Sequence, residues 1–358
     1  MEFNAKRLSL AKKRRGLNGK GLAECAGVSP VTISRIENGE NPDDVTVAKL
    51  SAALNYPKEF FYGDDPEEIY TESVSFRSLS KMSAKERDSA VAAGSLGLQL
   101  SDWADREFSL PKSNLVDLSY ETDMEVAART LRQFWVLGEK PVGNMLALLE
   151  THGVRIFSMS EATASVDAFS FWRNDVPFVF LNTFKTAEHS IFDAAHEICH
   201  LVCHRHAGAQ RSREAEREAN AFASAFLMPE SDVRSRIRGF VSVNDIIAWK
   251  KRWRVSAMAL AYRLHALGIL GEWRYKSACI ELGKRGYRLG EKNGIEREIS
   301  LVWKKILTQL WTERETKSDI ARKLNLPPDE VENLIWGLTG APPTPERASA
   351  APQLYAVK

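Results

Sequence analysis

The feature that most constrains the fold is a pair of histidines in the middle of the chain. Residues 196–200 read His-Glu-Ile-Cys-His, so the two histidines stand four positions apart. This spacing brings both imidazoles to one face if the segment is an α-helix, which makes one turn every 3.6 residues. Two such imidazoles can bind one Zn²⁺, and Glu197 is placed to act on a water molecule at the metal. The motif therefore predicts a helix, beginning near Thr186, that carries a metal site.

A catalytic zinc site normally has three protein ligands and one open position, so a third ligand is required. His204 stands four residues beyond His200. However, His196 and His204 would begin about 12 Å apart on one helix. Two imidazoles that must each approach the metal to about 2 Å cannot span that separation. The third ligand must therefore come from another part of the chain.

The next predicted helix, at about residues 213–227, supplies the candidate. Glu216 shares one face of this helix with small and apolar side chains, whereas Glu214 and Glu218 are rotated away from that face. Asn220 follows Glu216 by one turn and is suited to hold a ligand histidine through its ring N–H. The predicted site binds one Zn²⁺ per chain through three ligands, His196, His200 and Glu216. Glu197 is the predicted base, and Asn220 is the predicted supporting amide.

The N-terminal part of the chain has a different pattern, in which short helical stretches alternate with turn signals. A helix over residues 20–26, a turn at Gly27 and a helix beginning at residues 29–30 have the spacing of a helix-turn-helix. A small helical protein-docking module is the alternative for the same spacing. The DNA-binding interpretation predicts DNA contacts from the exposed face of the second helix, by Thr32, Ser34, Arg35 and Asn38. It predicts phosphate contacts from the basic run Lys12, Lys13, Arg14 and Arg15.

Composition limits the class of protein. A chain of 358 residues is expected to form two or three domains, and its net charge of +2 means that any DNA contact must come from a local patch. The sequence contains neither the apolar run of about 18 residues that a membrane span needs nor a signal peptide. The four cysteines form no disulfide framework, and Cys199 and Cys203 are interpreted as buried core residues rather than a redox pair. We expect a cytoplasmic protein with no membrane partner.

Turn signals divide this mainly helical, multidomain chain into four predicted parts. Strands are expected at about residues 154–158, 169–172 and 178–181. The basic stretch 250–254 could form another nucleic-acid surface but is interpreted as packing and a solvated face. The segment 318–337 has a weak helix-turn-helix pattern. The predicted parts are a five-helix helix-turn-helix domain at 1–66, a helical linker region at 67–120, an α+β metallopeptidase domain with a small β-sheet at 121–275, and a helical C-terminal region at 276–358.

Both motif regions resemble known families. Residues 29–39, Ser-Pro-Val-Thr-Ile-Ser-Arg-Ile-Glu-Asn-Gly, with residues 50–54 resemble the Cro/CI-like, xenobiotic-response-element (XRE) family of bacterial helix-turn-helix regulators. Residues 192–202, followed by 216–223 and 226–229, resemble the ImmA/IrrE family of zinc metallopeptidases. Cys199 stands where that family usually has glycine, and Ser190 stands where an arginine is common.

The two motif regions together lie within a resemblance to fused regulators, which covers most of the chain to about residue 300. The ImmA/IrrE part of this resemblance concerns the metal site. It implies a gluzincin-like active site in a small α+β fold. In that site His196, His200 and Glu216 match the family's metal ligands, and Glu197 matches its catalytic glutamate. It also implies an activity that cuts a repressor protein and so releases the genes that the repressor silences.

Together these observations predict a DNA-binding transcriptional regulator with zinc endopeptidase activity, a hydrolase that needs a trigger. The predicted partners are a double-stranded DNA operator, a repressor-like protein substrate and a second copy in a homodimer. The target could be another repressor, the chain's own N-terminal module, or none. The alternative is a non-proteolytic transcription factor or antitoxin-like regulator whose zinc domain serves as a sensor or scaffold.

Overall fold

The computed structural model describes residues 2–69, 75–76, 83–159, 166–206 and 213–339. Within these ranges the protein is mostly helical and contains one small β-sheet. The prediction of a mainly helical chain that joins a helix-turn-helix domain to an α+β domain is confirmed. None of the described helices is long and apolar enough to cross a membrane.

Four α-helices and one 3-10 helix form the N-terminal domain. Asn18 and Ser29 cap the second and third helices, because their side chains accept hydrogen bonds from first-turn N–H groups. Gly27 lies between these two helices with φ of +61°, a left-handed conformation that favours glycine. The elements are α1 (Ala5–Arg14), α2 (Gly19–Ala26), α3 (Pro30–Glu37), α4 (Asp44–Leu54) and the 3-10 helix Lys58–Tyr62.

The sheet has four strands, in the order β1-β3-β4-β2, among the described residues. The hairpin between β3 and β4 turns at Asn174 and Asp175, whose φ angles of 48° and 61° suit a two-residue primed turn. Strand β2 runs parallel to β4, and the very short β1 pairs antiparallel with β3. The strands are β1 (Ser75–Phe76), β2 (Arg155–Ser158), β3 (Ala168–Arg173) and β4 (Val176–Leu181).

A long helix, α5 (Ala84–Glu107), covers one face of the sheet. Gly94 and Gly97 allow close approach, because a Cβ atom on Gly97 would lie 2.6 Å from Cζ of Phe180. The sheet face beneath α5 is built from stacked phenylalanine rings, including Phe169 and Phe180 with centroids 4.5 Å apart. The predicted linker region 67–120 therefore contains a helix that belongs to the core of the α+β unit.

The opposite face of the sheet packs against α8 (Ala187–Cys203), which carries the histidine motif. Thr186 caps this helix, as expected, because its side chain accepts a hydrogen bond from the N–H of His189. Helix α9 (Arg213–Leu227) packs against α8, and α6 (Met124–Phe134) packs against α9. Helix α7 (Met145–Thr151) leads into β2.

Seven further helices follow α9 within residues 213–339, the last described range. The predicted domain boundary at residues 275–276 falls inside one of them, α13, which continues unbroken across it. An interdomain linker is not expected within a continuous helix, so the structure offers no boundary at this position, and the division into four parts stays a prediction. The helices are α10 (Glu230–Arg236), α11 (Val243–Trp253), α12 (Ala257–Ala266), α13 (Glu272–Lys284), α14 (Leu301–Thr312), α15 (Lys317–Lys323) and α16 (Pro328–Ile335).

Helix α16, the last of the described helices, connects the N-terminal domain to the sheet. It packs against β2 and α5, and its Glu330 accepts a hydrogen bond from the hydroxyl of Tyr56 at 3.0 Å. Asn325 has φ of 52° in the turn between α15 and α16, so this pair has a helix-turn-helix shape. However, Glu330, Val331 and Leu334 on α16 are completely buried, so this face packs within the protein. In this conformation α16 therefore cannot present that face to DNA.

Candidate metal centre

The motif helix places its functional side chains in the interior of the molecule. His196 and Glu197 are fully buried and His200 is 2% exposed, because α8 lies between the sheet and α9. Glu216 reaches these histidines from the first turn of α9. Two helices that are separate in sequence thus bring one carboxylate and two imidazoles together.

The three side chains have the geometry of a metal site. The Nε2 atoms of His196 and His200 are 3.1 Å apart. The two carboxylate oxygens of Glu216 lie 3.4 Å from Nε2 of His196 and 3.5 Å from Nε2 of His200. Ligands at about 2 Å from a tetrahedral zinc lie about 3.3 Å from one another, so these spacings fit a zinc ion. The structure therefore brings together a group that could bind a metal.

The electrostatics of the site favour an ionised carboxylate. Burial by itself raises the pKa of Glu216, but hydrogen bonds and charge from His196 and His200 outweigh it, so this pKa is lowered strongly. A carboxylate must be deprotonated to bind a metal. Glu216 is therefore held in the form that a ligand requires.

Hydrogen bonds behind the two histidines orient their rings. Nδ1 of His196 lies 3.2 Å from Oδ1 of Asn220, as the sequence predicts for a supporting amide. Nδ1 of His200 lies 2.8 Å from Nδ1 of His204, and Nε2 of His204 lies 2.9 Å from Oε2 of Glu218. If each proton is donated outward along these contacts, both Nε2 lone pairs are left for a metal.

The pairing of His204 with Glu218 was not predicted from the sequence. The sequence indicates only that Glu218 is rotated away from the ligand face, whereas in the structure its carboxylate contacts His204. The available signal was the position of His204, four residues after His200, which places the two rings one above the other on a helix. His204 is thus not in the ligand group, as expected, but it touches a member of that group.

The side chain of Glu197 is held by a residue of the sheet. Oγ of Ser170, in β3, donates a hydrogen bond to Oε2 of Glu197 at 2.5 Å. Sequence reasoning missed this serine. Its signal was a single hydroxyl between two phenylalanines in the apolar strand, where a buried polar group needs a partner.

A cavity of about 520 Å³ lies beside the metal centre. Its lining combines rings and ionisable groups from α8, α9 and α12, including His189, Phe192, Arg217 and Tyr262. Asn220, which supports His196, also reaches this cavity. The volume is sufficient for a large side chain of a bound peptide.

The two departures from the family pattern are accommodated by their surroundings. Cys199 is completely buried and its sulfur lies 3.9 Å from that of Met124, which agrees with a core role. Cys203 is also buried. Oγ of Ser190 accepts a hydrogen bond from Arg297 at 3.0 Å, so an arginine from a distant segment reaches this position.

The predicted base-reading face of α3 is exposed to solvent. Ser34, Arg35 and Asn38 are exposed, and the amide of Asn38 donates to the carbonyl of Ser34 at 2.8 Å. Thr32 is partly buried and its hydroxyl lies 2.8 Å from that of Ser29, the cap residue. The assignment of these four residues to DNA contacts stays a prediction.

The basic run of α1 differs from its prediction. Arg14 is buried and its guanidinium pairs with Glu330, so this conformation does not present it to a phosphate, and its assignment to DNA contacts stays a prediction. The cause is helical spacing, since Arg14 follows the buried Leu10 by four residues and shares its face. Arg15 pairs with Asp329 and Lys12 with Glu37, whereas Lys13 is exposed.

The basic stretch 250–254 is engaged in ion pairs. Lys250 is completely buried and lies 3.0 Å from both Glu188 and Glu291. Arg252 pairs with Asp232 at 2.7 Å, and Arg254 pairs with Glu298 at 3.0 Å. These charges therefore stabilise contacts within the protein, as the interpretation of a packing surface implied.

Comparison with known protein families identifies both parts of the chain. Residues 8–61 match the helix-turn-helix family, and residues 149–265 match the family of the IrrE N-terminal-like domain, a peptidase family. The second match begins in α7 and ends in α12, so it includes the sheet strands β2 to β4, the motif helix and α9. No curated protein matches the chain. The chain therefore joins an N-terminal, XRE-like helix-turn-helix domain to an IrrE/ImmA-like peptidase domain.

Proposed function

We propose that this protein is a DNA-binding transcriptional regulator that is also a zinc-dependent endopeptidase and cuts a repressor-like regulatory protein. The observation that carries the proposal is the convergence of His196, His200 and Glu216, whose ligand atoms all lie within 4.8 Å of one another, beside Glu197. The match to a peptidase family over the same residues supports it.

Each residue of the proposed active site has a separate role in peptide-bond hydrolysis. A bound Zn²⁺ would polarise the scissile carbonyl and lower the pKa of the attacking water. Glu197 acts as the general base, accepting a proton from that water and delivering it to the leaving amine. Ser170 holds the carboxylate of Glu197 through its hydroxyl, and Asn220 fixes the ring of His196.

The helix-turn-helix domain restricts where this activity is used. Its exposed α3 face would bind operator DNA, with the protein acting as a dimer because such modules read paired half-sites. A peptidase brought to an operator meets few proteins, and repressors bound there are prominent among them. The substrate is therefore a specific regulator rather than proteins in general.

The test is a cleavage assay on purified full-length protein whose metal content has been measured. Wild-type protein with one zinc per chain should cut a repressor encoded next to it, and Glu197→Gln should retain the zinc but lose at least about 99% of the rate. Glu214→Gln is the matched control, because Glu214 lies on α9 outside the metal group. Equal results for wild type and Glu197→Gln against every neighbouring repressor would contradict the proposal.

A second candidate function is favoured by the burial of the site. His196 and Glu197 have no exposed surface, so a substrate cannot reach them without a rearrangement. A regulator whose metal domain is only a sensor or scaffold would have this property. In that case Glu197→Gln would leave operator binding and reporter repression unchanged, while removal of the metal would alter both.

A further inference from the structure

We propose that the chain's own segment Ser75–Phe76 acts as an intramolecular inhibitor, because it occupies the outer edge of β3 on which an extended substrate would lie. This inference rests on the proposed peptidase function, because it states where a peptide would lie relative to Glu197. In this arrangement a segment of the same chain lies where a substrate peptide would pair with β3.

The register of the sheet places this segment next to the catalytic machinery. Ser75 pairs antiparallel with Ser170, and Phe76 pairs with Phe169. Ser170 is the residue whose hydroxyl contacts the carboxylate of Glu197 at 2.5 Å. The backbone of Ser75 is therefore opposite the strand position that holds the proposed base.

Strand β3 has the position required of a docking edge. One of its edges is paired with β4, and its other edge is paired only with Ser75–Phe76 among the described residues. Its Trp172 also donates a hydrogen bond from Nε1 to the carbonyl of Leu201 at 3.1 Å, which fixes β3 against the motif helix. An extended peptide adds a strand to such an edge through main-chain hydrogen bonds, independently of most of its sequence.

The chain before this segment is anchored to the same strand. The guanidinium of Arg173, at the end of β3, binds both carboxylate oxygens of Glu67, with Nη2 to Oε2 at 2.6 Å and Nε to Oε1 at 3.0 Å. The side chain of Ile69 lies against Gly94 of α5. The chain thus passes Arg173 first and Ser170 later, which is the direction that antiparallel pairing with β3 requires.

Occupation of the edge is coupled to the DNA-binding domain. Asp65, two residues before Glu67, accepts hydrogen bonds from Asn4 at 3.0 Å and from Lys6 at 2.5 Å, both near the start of α1. A displacement of that domain would therefore pull on the segment that fills the edge. A tethered segment has an effective concentration of about 1 mM, so it excludes a free peptide present at micromolar concentration.

The test measures peptide binding rather than cleavage. All proteins carry Glu197→Gln and zinc, and the probe is a fluorescent peptide with the sequence of residues 70–80 of this chain. Ser75→Pro/Phe76→Pro removes two backbone donors from the paired segment and should bind the probe at least about tenfold more tightly than the unaltered segment does. Glu67→Ala, which breaks only the anchor, should give a smaller gain.

Glu68→Ala is the matched control, because it removes the carboxylate next to the anchor while the contacts of Glu67 with Arg173 remain, so probe affinity should be unchanged. Hydrogen exchange provides a second measurement: the N–H groups of Phe169 and Ser170 point to opposite edges of β3, and only the one directed at Ser75–Phe76 should exchange faster in the double-proline variant, while the one directed at β4 should not change. Equal probe affinity in all variants, or no binding to any, would overturn the inference. Failure of the peptidase proposal would instead appear as an absence of repressor cleavage by the protein with Glu197 intact, while the probe-binding difference among the Glu197→Gln variants is preserved.

Discussion

Arg14, at the end of the first helix, donates a hydrogen bond from Nε to Oε2 of Glu330 at 2.7 Å, although 316 positions separate the two residues. Their side chains are 3% and 0% exposed, so this ion pair is buried between the N-terminal domain and α16. Arg15 and Tyr56 also approach the same carboxylate. The pair therefore joins the two ends of the described chain.

Glu330→Gln should destabilise the protein by about 3–5 kcal/mol, because it leaves the buried guanidinium of Arg14 without a charged partner. Urea unfolding followed by tryptophan fluorescence measures this change. Glu332→Gln is the control, since Glu332 pairs with Lys317 on the partly exposed side of α16 and should cost less than about 1 kcal/mol. Similar losses in the two variants would show that the buried pair contributes no more than a surface pair.

Signals that act within a few residues were sufficient to predict much of the molecule. The Asn-Asp turn between β3 and β4 and the cap at Ser29 depend on neighbouring residues, so the sequence contains them. The inward direction of Arg14 was also available from its spacing to Leu10. The partner of Arg14 could not be predicted, because no neighbouring residue distinguishes Glu330 from the glutamates that lie on solvent-exposed helix faces.

In the candidate site, too, some features depend on local spacing and could be predicted, whereas others depend on tertiary packing and could not. The residues that converge as a metal group could be predicted because helical spacing fixes which side chains share a face. Ser170 could not be assigned to Glu197, because that contact depends on how β3 packs on α8. Strand β1 has only two residues, which is too short for any alternation of polar and apolar side chains to be recognised.

Ser170→Ala should lower kcat for the repressor substrate by about 10- to 100-fold, the usual effect of losing one hydrogen bond to a charged group. The zinc content should stay the same, since Ser170 contacts the base and none of the ligand group. Ser170→Thr keeps a hydroxyl and should recover part of the rate. Ser101→Ala, at another buried serine on α5, is the control and should retain wild-type kcat. A variant that loses both zinc and activity would point to a structural role instead.

His204→Ala and Glu218→Ala should each weaken zinc binding by about 10- to 100-fold, because both residues support the ring of His200 from behind. Competition with a chromogenic chelator measures the affinity without any cleavage assay. His206→Ala is the matched control, as His206 pairs with Asp117 outside the metal group. Unchanged affinity in His204→Ala would remove this histidine from the support of the site.

Gly97→Ala should destabilise the α+β unit, because the new Cβ would meet the ring of Phe180 at 2.6 Å. Overpacking of this kind costs about 1–3 kcal/mol, against which alanine gains about 0.5–1 kcal/mol in helix propensity. Thermal unfolding measures the net change. Gly143→Ala is the control, since no atom lies within 4 Å of its added Cβ. A rise in the melting temperature of Gly97→Ala would mean that α5 can move away from the sheet at little cost.

Glu150 gives the stability of the fold a defined dependence on pH. Its buried carboxylate accepts hydrogen bonds from the N–H groups of Leu301 and Val302 at the start of α14, and burial raises its pKa above the ordinary value of 4.5. A carboxylate whose pKa is raised by folding contributes stability that is complete below its unfolded pKa and is lost as the pH rises through its folded pKa. The contribution of Glu150 to stability should therefore increase as the pH is lowered from 8 toward 5, whereas that of His152, whose pKa is lowered by burial, should decrease over the same interval.

Glu150→Gln removes this titration, so lowering the pH over the same interval should raise its melting temperature less, or lower it more, than that of the wild type. The difference should be partial, because burial also raises the pKa values of Glu291 and Glu298 in the same direction. Scanning calorimetry at several pH values measures both proteins, with Glu24→Gln as the exposed control. Parallel curves for wild type and Glu150→Gln would show that Glu150 does not titrate in this interval. In that case the pH dependence must come from other groups, and the hydrogen bonds to α14 must be strong enough to offset the cost of burying the charge.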